Sequence, residues 1–190
     1  MADDAHDLRA RWRSRVLPSL RGVVLDVGAG DGVAAGSLNA ATTWIALEPA
    51  RSDRARLSAR VAARPDSRLV AAKSERIPLD DASVDAVICS TVLCSVDDPR
   101  QSLAEIRRVL RPGGRLVFFE HVIAARRTWS RFTQRAYAPL SRLIDGGCDP
   151  ARDTEADIRD AGFSEVSVHA LEVPGILGTV VPLIEGDAIR

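Results

Sequence analysis

The chain has no excess of charge of either sign, since 26 lysine and arginine residues balance 26 aspartate and glutamate residues over 190 positions. A balanced chain has no general attraction for a polyanion or an anionic membrane surface, so nucleic acid is not an expected partner. Long apolar runs are also missing. The best candidate, Ala86 to Val96, is interrupted by Ser90, Thr91 and Ser95 and falls short of the ~20 uninterrupted apolar residues of a membrane span. In place of the apolar core of a secretory leader, the first twenty residues carry Asp3, Asp4 and Asp7 and then arginines, and the expected location is the cytoplasm. Cysteine is scarce and odd in number. Cys89, Cys94 and Cys148 lack the paired short spacings of a zinc site or a disulfide framework, so reduced thiols and no bound metal are expected. Lys73 is the only lysine, which with abundant alanine reflects a GC-rich genome more than a mechanism.

Repeats and low-complexity linkers are absent too, and the length suits one domain over residues 1–190 rather than two. Strand-like runs alternate with helix-like ones, the pattern of a doubly wound, mostly parallel α/β sheet. Leu8, Trp12, Val16 and Leu20 recur every four residues and predict an N-terminal amphipathic helix within residues 1–21 that Pro18 bends or ends. Its apolar stripe packs on the domain, closes over a ligand, or touches a membrane surface. Strands are expected at Val23–Val27, Trp44–Leu47, Arg68–Ala72, Val84–Cys89, Arg115–Glu120, Glu165–His169 and Gly186–Ile189, the last two as an antiparallel hairpin at one edge. Helices are expected at Asp31–Asn39, Ala50–Arg64, Gln101–Leu110 and Thr154–Ala161, the last capped by Thr154. Residues 124–150 form a helical insertion. Within it Trp129, Phe132 and Tyr137 either wall an apolar acceptor pocket or pack in the core.

The chemistry concentrates after the first strand, at Asp26-Val27-Gly28-Ala29-Gly30-Asp31-Gly32. Gly28 and Gly30 let the backbone turn sharply and approach a ligand closely. A dinucleotide fingerprint would place its next glycine at position 33, which is Val33 here, so the spacing disfavours that cofactor. Glu48 ends the second strand, where a carboxylate accepts hydrogen bonds from ribose hydroxyls, with Pro49 beside it. Asp26 and Asp31 suit a ligand's cationic end or cap the loop.

With Asp85-Ala86-Val87-Ile88-Cys89-Ser90 and Arg108-Val109-Leu110-Arg111-Pro112-Gly113-Gly114, this constellation resembles the class I methyltransferases of the ubiquinone/menaquinone-biosynthesis type over residues 22 to 120. The resemblance implies a Rossmann-like seven-stranded sheet of order 3-2-1-4-5-7-6 with strand seven antiparallel. It also implies S-adenosylmethionine as cofactor and S-adenosylhomocysteine as product. Carried over by position, Ser74 and Glu75 lie near the adenine, and Ser90 and Val92 face the methionine part, with Ala29 among the loop contacts. Many relatives have aspartate where this chain has Lys73, so Glu75 or backbone groups must serve the adenine amino group.

From about residue 85 onward, Val92-Leu93-Cys94-Ser95-Val96, Phe119-Glu120-His121-Val122, Thr128-Trp129 and Asp145-Gly146-Gly147-Cys148 resemble the methyltransferase-like thiol S-methyltransferases of mammalian endoplasmic reticulum. Residues 1–21 hold no apolar run like the membrane anchor of those proteins, and Gly147 interrupts their Gly-Cys pair. The resemblance implies a small, fairly apolar acceptor, with a thiol favoured. Methylation of a lipid amine, a quinone-like carbon or phenol, or a natural product is the runner-up, a non-catalytic S-adenosylmethionine-binding subunit is an answer of a different class, and an NAD-dependent oxidoreductase is the third reading. An activated sulfonium methyl needs mainly an aligned nucleophile and exclusion of water, and a thiol supplies some thiolate unaided. His121, at a strand end, and Asp145 are the candidate bases. Glu120 is a candidate partner of His121 whose side chain should point to the other face of the strand. Cys94 and Cys148 read as small buried residues, since the reaction needs no covalent intermediate.

Overall fold

The computed structural model describes residues 4–49, 54–144, 146–175 and 178–190. Seven strands, β1 (Val23–Val27), β2 (Thr43–Leu47), β3 (Arg68–Val70), β4 (Val84–Ser90), β5 (Leu110–His121), β6 (Glu165–Pro174) and β7 (Val180–Ile189), form one sheet of order β3-β2-β1-β4-β5-β7-β6. β3, β2, β1, β4 and β5 are mutually parallel, and β7 runs antiparallel to both β5 and β6. This is the expected sheet and strand order.

Val-Val-Leu-Asp-Val in β1 is apolar on both faces because both are covered. Leu25 and Val27 face one layer with Ile45, Leu47, Val87 and Cys89. Leu103 and Ile106 of α3 (Pro99–Val109) and Ile158 of α5 (Thr154–Asp160) cover that side. Val24 faces the other layer with Trp44, Ala46, Ile88 and Phe119. Trp12 of α1 (Ala5–Val16), Leu17 and Leu57 of α2 (Arg54–Ala62) cover it. The Trp12 and Phe119 rings lie 5.8 Å apart, so α1 is bound to the sheet by a fully buried anchor whose truncation to alanine costs about 4 kcal/mol. As expected, α1 ends where Pro18 enters, passing into a 3-10 turn over Leu17–Ser19.

Several boundaries differ from expectation. The helix expected at Asp31–Asn39 is only a 3-10 segment, Val33–Ser37. Gly32 enters it in a left-handed conformation (φ 82°) and Gly36 lies inside it, a composition that does not sustain α-helical turns. α3 begins earlier, because Asp98 caps it by accepting from Gln101 N at 3.0 Å and Pro99 occupies its first turn. β5 begins at Leu110, and the pairing jumps from Val84↔Leu110 to Ala86↔Arg115, leaving Arg111 to Gly114 as a bulge. β6 and β7 run to 10 residues each, longer than expected, because they pair with each other from Glu165↔Ile189 to Pro174↔Val180 as one long hairpin, while β7 also pairs with β5 along its other edge. Asp153 caps α5, whereas the Thr154 hydroxyl donates to His121 O at 3.0 Å. The insertion holds α4 (Trp129–Ile144), continuous through Pro139. Trp129 and Phe132 stack on each other at its exposed surface, outside the core of the described residues. No helix among the described residues is long and apolar enough to cross a membrane.

Asp26 is the polar residue of β1. Its carboxylate is buried and accepts from Trp44 Nε1 at 3.2 Å. Burial pushes its pKa up to about 7. The native protein therefore retains a proton that the unfolded chain releases near pH 4, and the stability this contributes is fully present below that pH and lost as pH rises through 7. Between pH 5 and 8 the wild type should lose about 2 to 3 kcal/mol relative to Asp26→Asn, measured by urea unfolding at both pH values. Parallel stability curves for the two proteins would show that Asp26 is ionised throughout.

Candidate functional site

Two cavities open at the carboxyl ends of the parallel strands, the edge at which sheets of this kind bind ligands. The first, of about 550 Å³, is lined by Gly28, Glu48, Pro49, Ser74, Glu75 and Val92 of the expected cofactor set. The loop that follows β1 is pinned to β2, because Gly28 N and Ala29 N both donate to Leu47 O, at 2.9 and 3.1 Å. Glu48 is buried at the end of β2 and accepts from Gly30 N at 2.8 Å through Oε2. Gly28 has φ 66°, and a Cβ there would sit 2.4 Å from Val92 Cγ2, so the position requires glycine for both conformation and space.

Other members of the expected set lie elsewhere. Asp26 points into the sheet core, and Ala29, Gly30 and Ser90 do not line the cavity wall. Asp31 accepts from Val33 N at 3.2 Å and pairs with Arg60 at 3.5 Å, which makes it a turn-forming residue. Glu75 reaches the cavity, yet its Oε1 accepts from Asp97 N at 2.8 Å and Asp98 N at 3.2 Å. Beside it Lys73 pairs with Asp97 at 2.6 Å. Asp97 thus puts a carboxylate on the same rim as Lys73, a placement hidden by 24 residues of separation.

The second cavity, of about 600 Å³, lies between the end of β5 and α4. His121, Cys94 and Cys148 meet on its wall, with Tyr137, Val180 and Val181 as apolar lining. Thr91 and Ser95 line both cavities. Thr91 has φ 57°, a strained value for a β-branched residue. Its conformation is held from three directions: Thr91 N donates to Phe119 O at 2.7 Å, its hydroxyl donates to Ser90 O, and Arg9 of α1 donates to that hydroxyl at 2.7 Å. The N-terminal helix therefore reaches the junction of the cavities as well as packing on the sheet. Asp145 lies outside the described residues.

Glu120 points away from His121's cavity, as alternation along β5 requires. Fully buried, it accepts from Val92 N at 3.0 Å and Leu93 N at 3.2 Å. Burial pushes its carboxyl up to about 8 against the opposing pull of those two amides. At neutral pH it is mainly a neutral acid that braces the loop after β4. The Cys94 thiol is likewise raised above its ordinary range, by its hydrogen bond with Cys148 and then by burial.

The stretch from β1 to β5, residues 25–118, matches the protein family described as Methyltransferase domain. The chain is also 36% identical over 183 aligned positions to demethylmenaquinone methyltransferase of Renibacterium salmoninarum, covering 85% of this chain and 76% of that protein. It belongs to the class I S-adenosylmethionine-dependent methyltransferases. Within that class it is 41% identical over 122 residues to thiol S-methyltransferase TMT1B of Homo sapiens, covering 64% of this chain and 50% of that protein. The chain thus spans about half the length of that relative. YcgJ of Bacillus subtilis shares the fold, with a TM-score of 0.73 at 15% identity over 97% of this chain and 98% of that one.

The bracing by Glu120 has a measurable consequence. Glu120→Gln keeps an acceptor for the two amides in a neutral side chain of the same shape, and stability at pH 7 should change by less than about 1 kcal/mol. Glu120→Ala strands two buried donors and leaves a cavity, and should cost about 3 kcal/mol in urea unfolding. Equal losses in the two variants would assign Glu120 a required negative charge instead.

Proposed function

We propose that this protein transfers the methyl group of S-adenosylmethionine to a small, fairly apolar thiol. The observation that carries the reading is the meeting of the two cavities at Thr91 and Ser95. The first cavity adjoins, at those residues, a second and partly apolar chamber on whose wall His121 lies, and an acceptor held there would stand next to a cofactor held in the first. When bound, S-adenosylmethionine supplies a sulfonium methyl that is already an activated electrophile.

The first cavity fits that group on its own chemistry. Glu48 is a buried carboxylate on the wall, at the position where such a group accepts from two vicinal hydroxyls. Gly28 and Val92 approach each other on the wall beside it, and Ser74, Glu75 and Asp97 supply polar groups for an adenine. In the second cavity, Tyr137, Val180 and Val181 favour an apolar body on the acceptor. His121 is the basic side chain on that wall, placed to steer the acceptor's proton. Thr91 and the Glu120-braced loop fix the geometry between the chambers, and in-line transfer depends on that alignment.

The thiol preference draws on the similarity to TMT1B. The longer match to demethylmenaquinone methyltransferase favours the runner-up, a quinone-like carbon or phenol. Incubation with hydrogen sulfide, alkyl thiols and aromatic thiols, in parallel with phenol, quinol and amine acceptors, separates the two by mass of product. Thioethers are expected, and no turnover of any thiol would sink the reading. Glu48→Ala should weaken S-adenosylhomocysteine binding about tenfold or more by calorimetry. His121→Ala should leave that binding intact and lower kcat about 10²-fold. A His121→Ala enzyme with unchanged kcat would remove this residue from the reaction.

A further inference from the structure

Cys94, His121 and Cys148 are far apart in sequence, each neighbour pair separated by 27 residues, and have no spacing that suggests a shared ligand. The fold brings them to one point. Cys94 Sγ lies 3.5 Å from Cys148 Sγ, and His121 Nδ1 lies 3.8 Å from Cys94 Sγ and 4.0 Å from Cys148 Sγ. In tetrahedral zinc coordination, with bonds of about 2.3 Å to sulfur and 2.0 to 2.1 Å to nitrogen, ligand atoms are about 3.8 Å apart for two sulfurs and about 3.6 Å for sulfur and nitrogen. Each observed edge lies within about 0.5 Å of those values. The Cys94, Cys148 and His121 atoms could close on one ion by small side-chain rotations alone.

The segments that carry the three side chains are also tied to one another. Asp149 N donates to Cys94 O at 2.9 Å, joining the Cys148 loop to the Cys94 loop. Arg152 donates to Leu93 O at 2.7 Å and to Val96 O at 2.8 Å, and so encloses Cys94 from both sides. The Thr154 hydroxyl bonds His121 O, and Glu120 holds Val92 and Leu93. Arg142 of α4 pairs with Asp149. A set of ligands held in this way, with outer hydrogen bonds orienting each one, is what a metal site requires.

We propose that Cys94, His121 and Cys148 form a three-ligand site for a zinc ion whose fourth position opens into the second cavity and takes the acceptor's sulfur. All three residues line that cavity, next to Ser95 and Thr91 at its junction with the first. Two cysteines and one histidine with an open fourth position form a catalytic rather than a structural zinc set. This assignment rests on the thiol reading and deepens it. An acceptor thiol entering the fourth position releases its proton to solvent and remains as a zinc-bound thiolate. Its sulfur then forms a bond to the methyl carbon while the sulfonium carbon–sulfur bond breaks, its electron pair staying on the departing sulfur. The products are a thioether and S-adenosylhomocysteine, with one proton released and no change of redox state at the metal. His121 then serves as a ligand, and the ion takes over the activation of the thiol.

The test is a Co²⁺ titration of the purified full chain, stripped with chelator and kept under a phosphine reductant. One equivalent should produce the visible bands of tetrahedral Co²⁺ and a near-ultraviolet thiolate charge-transfer band, both erased by Zn²⁺. Cys94→Ser and Cys148→Ser should each lose half or more of the charge-transfer intensity, and His121→Ala should bind about tenfold more weakly or worse. Cys89→Ala, at a cysteine outside the cluster, should match the wild type. If a cluster variant does not fold, the wild-type band intensity still counts the sulfur ligands. Addition of an alkyl thiol should shift the visible bands, which supports the open position even if no methyl transfer is detected. Absence of these bands in the wild type, or their persistence in a folded Cys94→Ser/Cys148→Ser double variant, overturns the site. Undiminished thiol turnover by zinc-free protein also overturns it, while leaving the thiol reading intact.

Discussion

The functional half of this molecule depends on one buried hydrogen-bonded group, the Glu120 carboxyl, which joins the last parallel strand to the loop that leaves its neighbour. Its Oε1 accepts from both Val92 N and Leu93 N. Those residues lie between Thr91, which lines both cavities, and Cys94, which lines the second. A loop there has few backbone partners of its own, because the strand ladder has ended. Without an internal acceptor its amides would be buried and unpaired, or the loop would move outward to water. The carboxyl therefore does for the loop what the ladder does for the strand.

The strain at Thr91 follows from the same constraint. The chain must leave β4 sharply enough for Val92 to close on Gly28 and for Cys94 to turn toward β5. A left-handed residue accomplishes this in one step, at a cost of about 1 to 3 kcal/mol that the surrounding bonds must offset. One of those bonds comes from Arg9, so a helix distant in sequence supports the junction between the two chambers. The N-terminal helix is thus a structural part of the sheet layer, through Trp12, and a support for the site, through Arg9.

Much of the architecture was legible from pattern. Continuous apolar runs such as Val23 to Val27 mark strands covered on both faces, and their alternation with helical segments predicts a parallel sheet. The boundaries were less legible. The expected helix after the glycine loop shrinks to a 3-10 segment because Gly32 and Gly36 are conformationally loose, and the Arg111 to Gly114 segment is a bulge within β5 rather than a stop before it. In the first cavity the positions with local signals, Gly28, Glu48 and Pro49, do line the wall. Asp26 and Asp31 show why a motif is not a contact list: strand alternation turns Asp26 onto Trp44, and Asp31 is engaged by Arg60 and its own turn.

By itself the sequence determined the sheet, its glycine loop and the carboxylate at the end of β2, because these follow from periodicity and from the conformational needs of single residues over short spans. Only the tertiary structure decided which side chains share a chamber. Asp97 beside Lys73, Thr91 between the cavities, and Cys94 with His121 and Cys148 are juxtapositions across tens of residues. Distances of that kind are set by strand register and by loops bracing one another, and no local pattern encodes them. The odd count and wide spacing of the cysteines suggested isolated thiols, yet the register of β4 against β5 placed Cys94 beside the His121 imidazole, and the bond from Asp149 N to Cys94 O brought Cys148 to the same point.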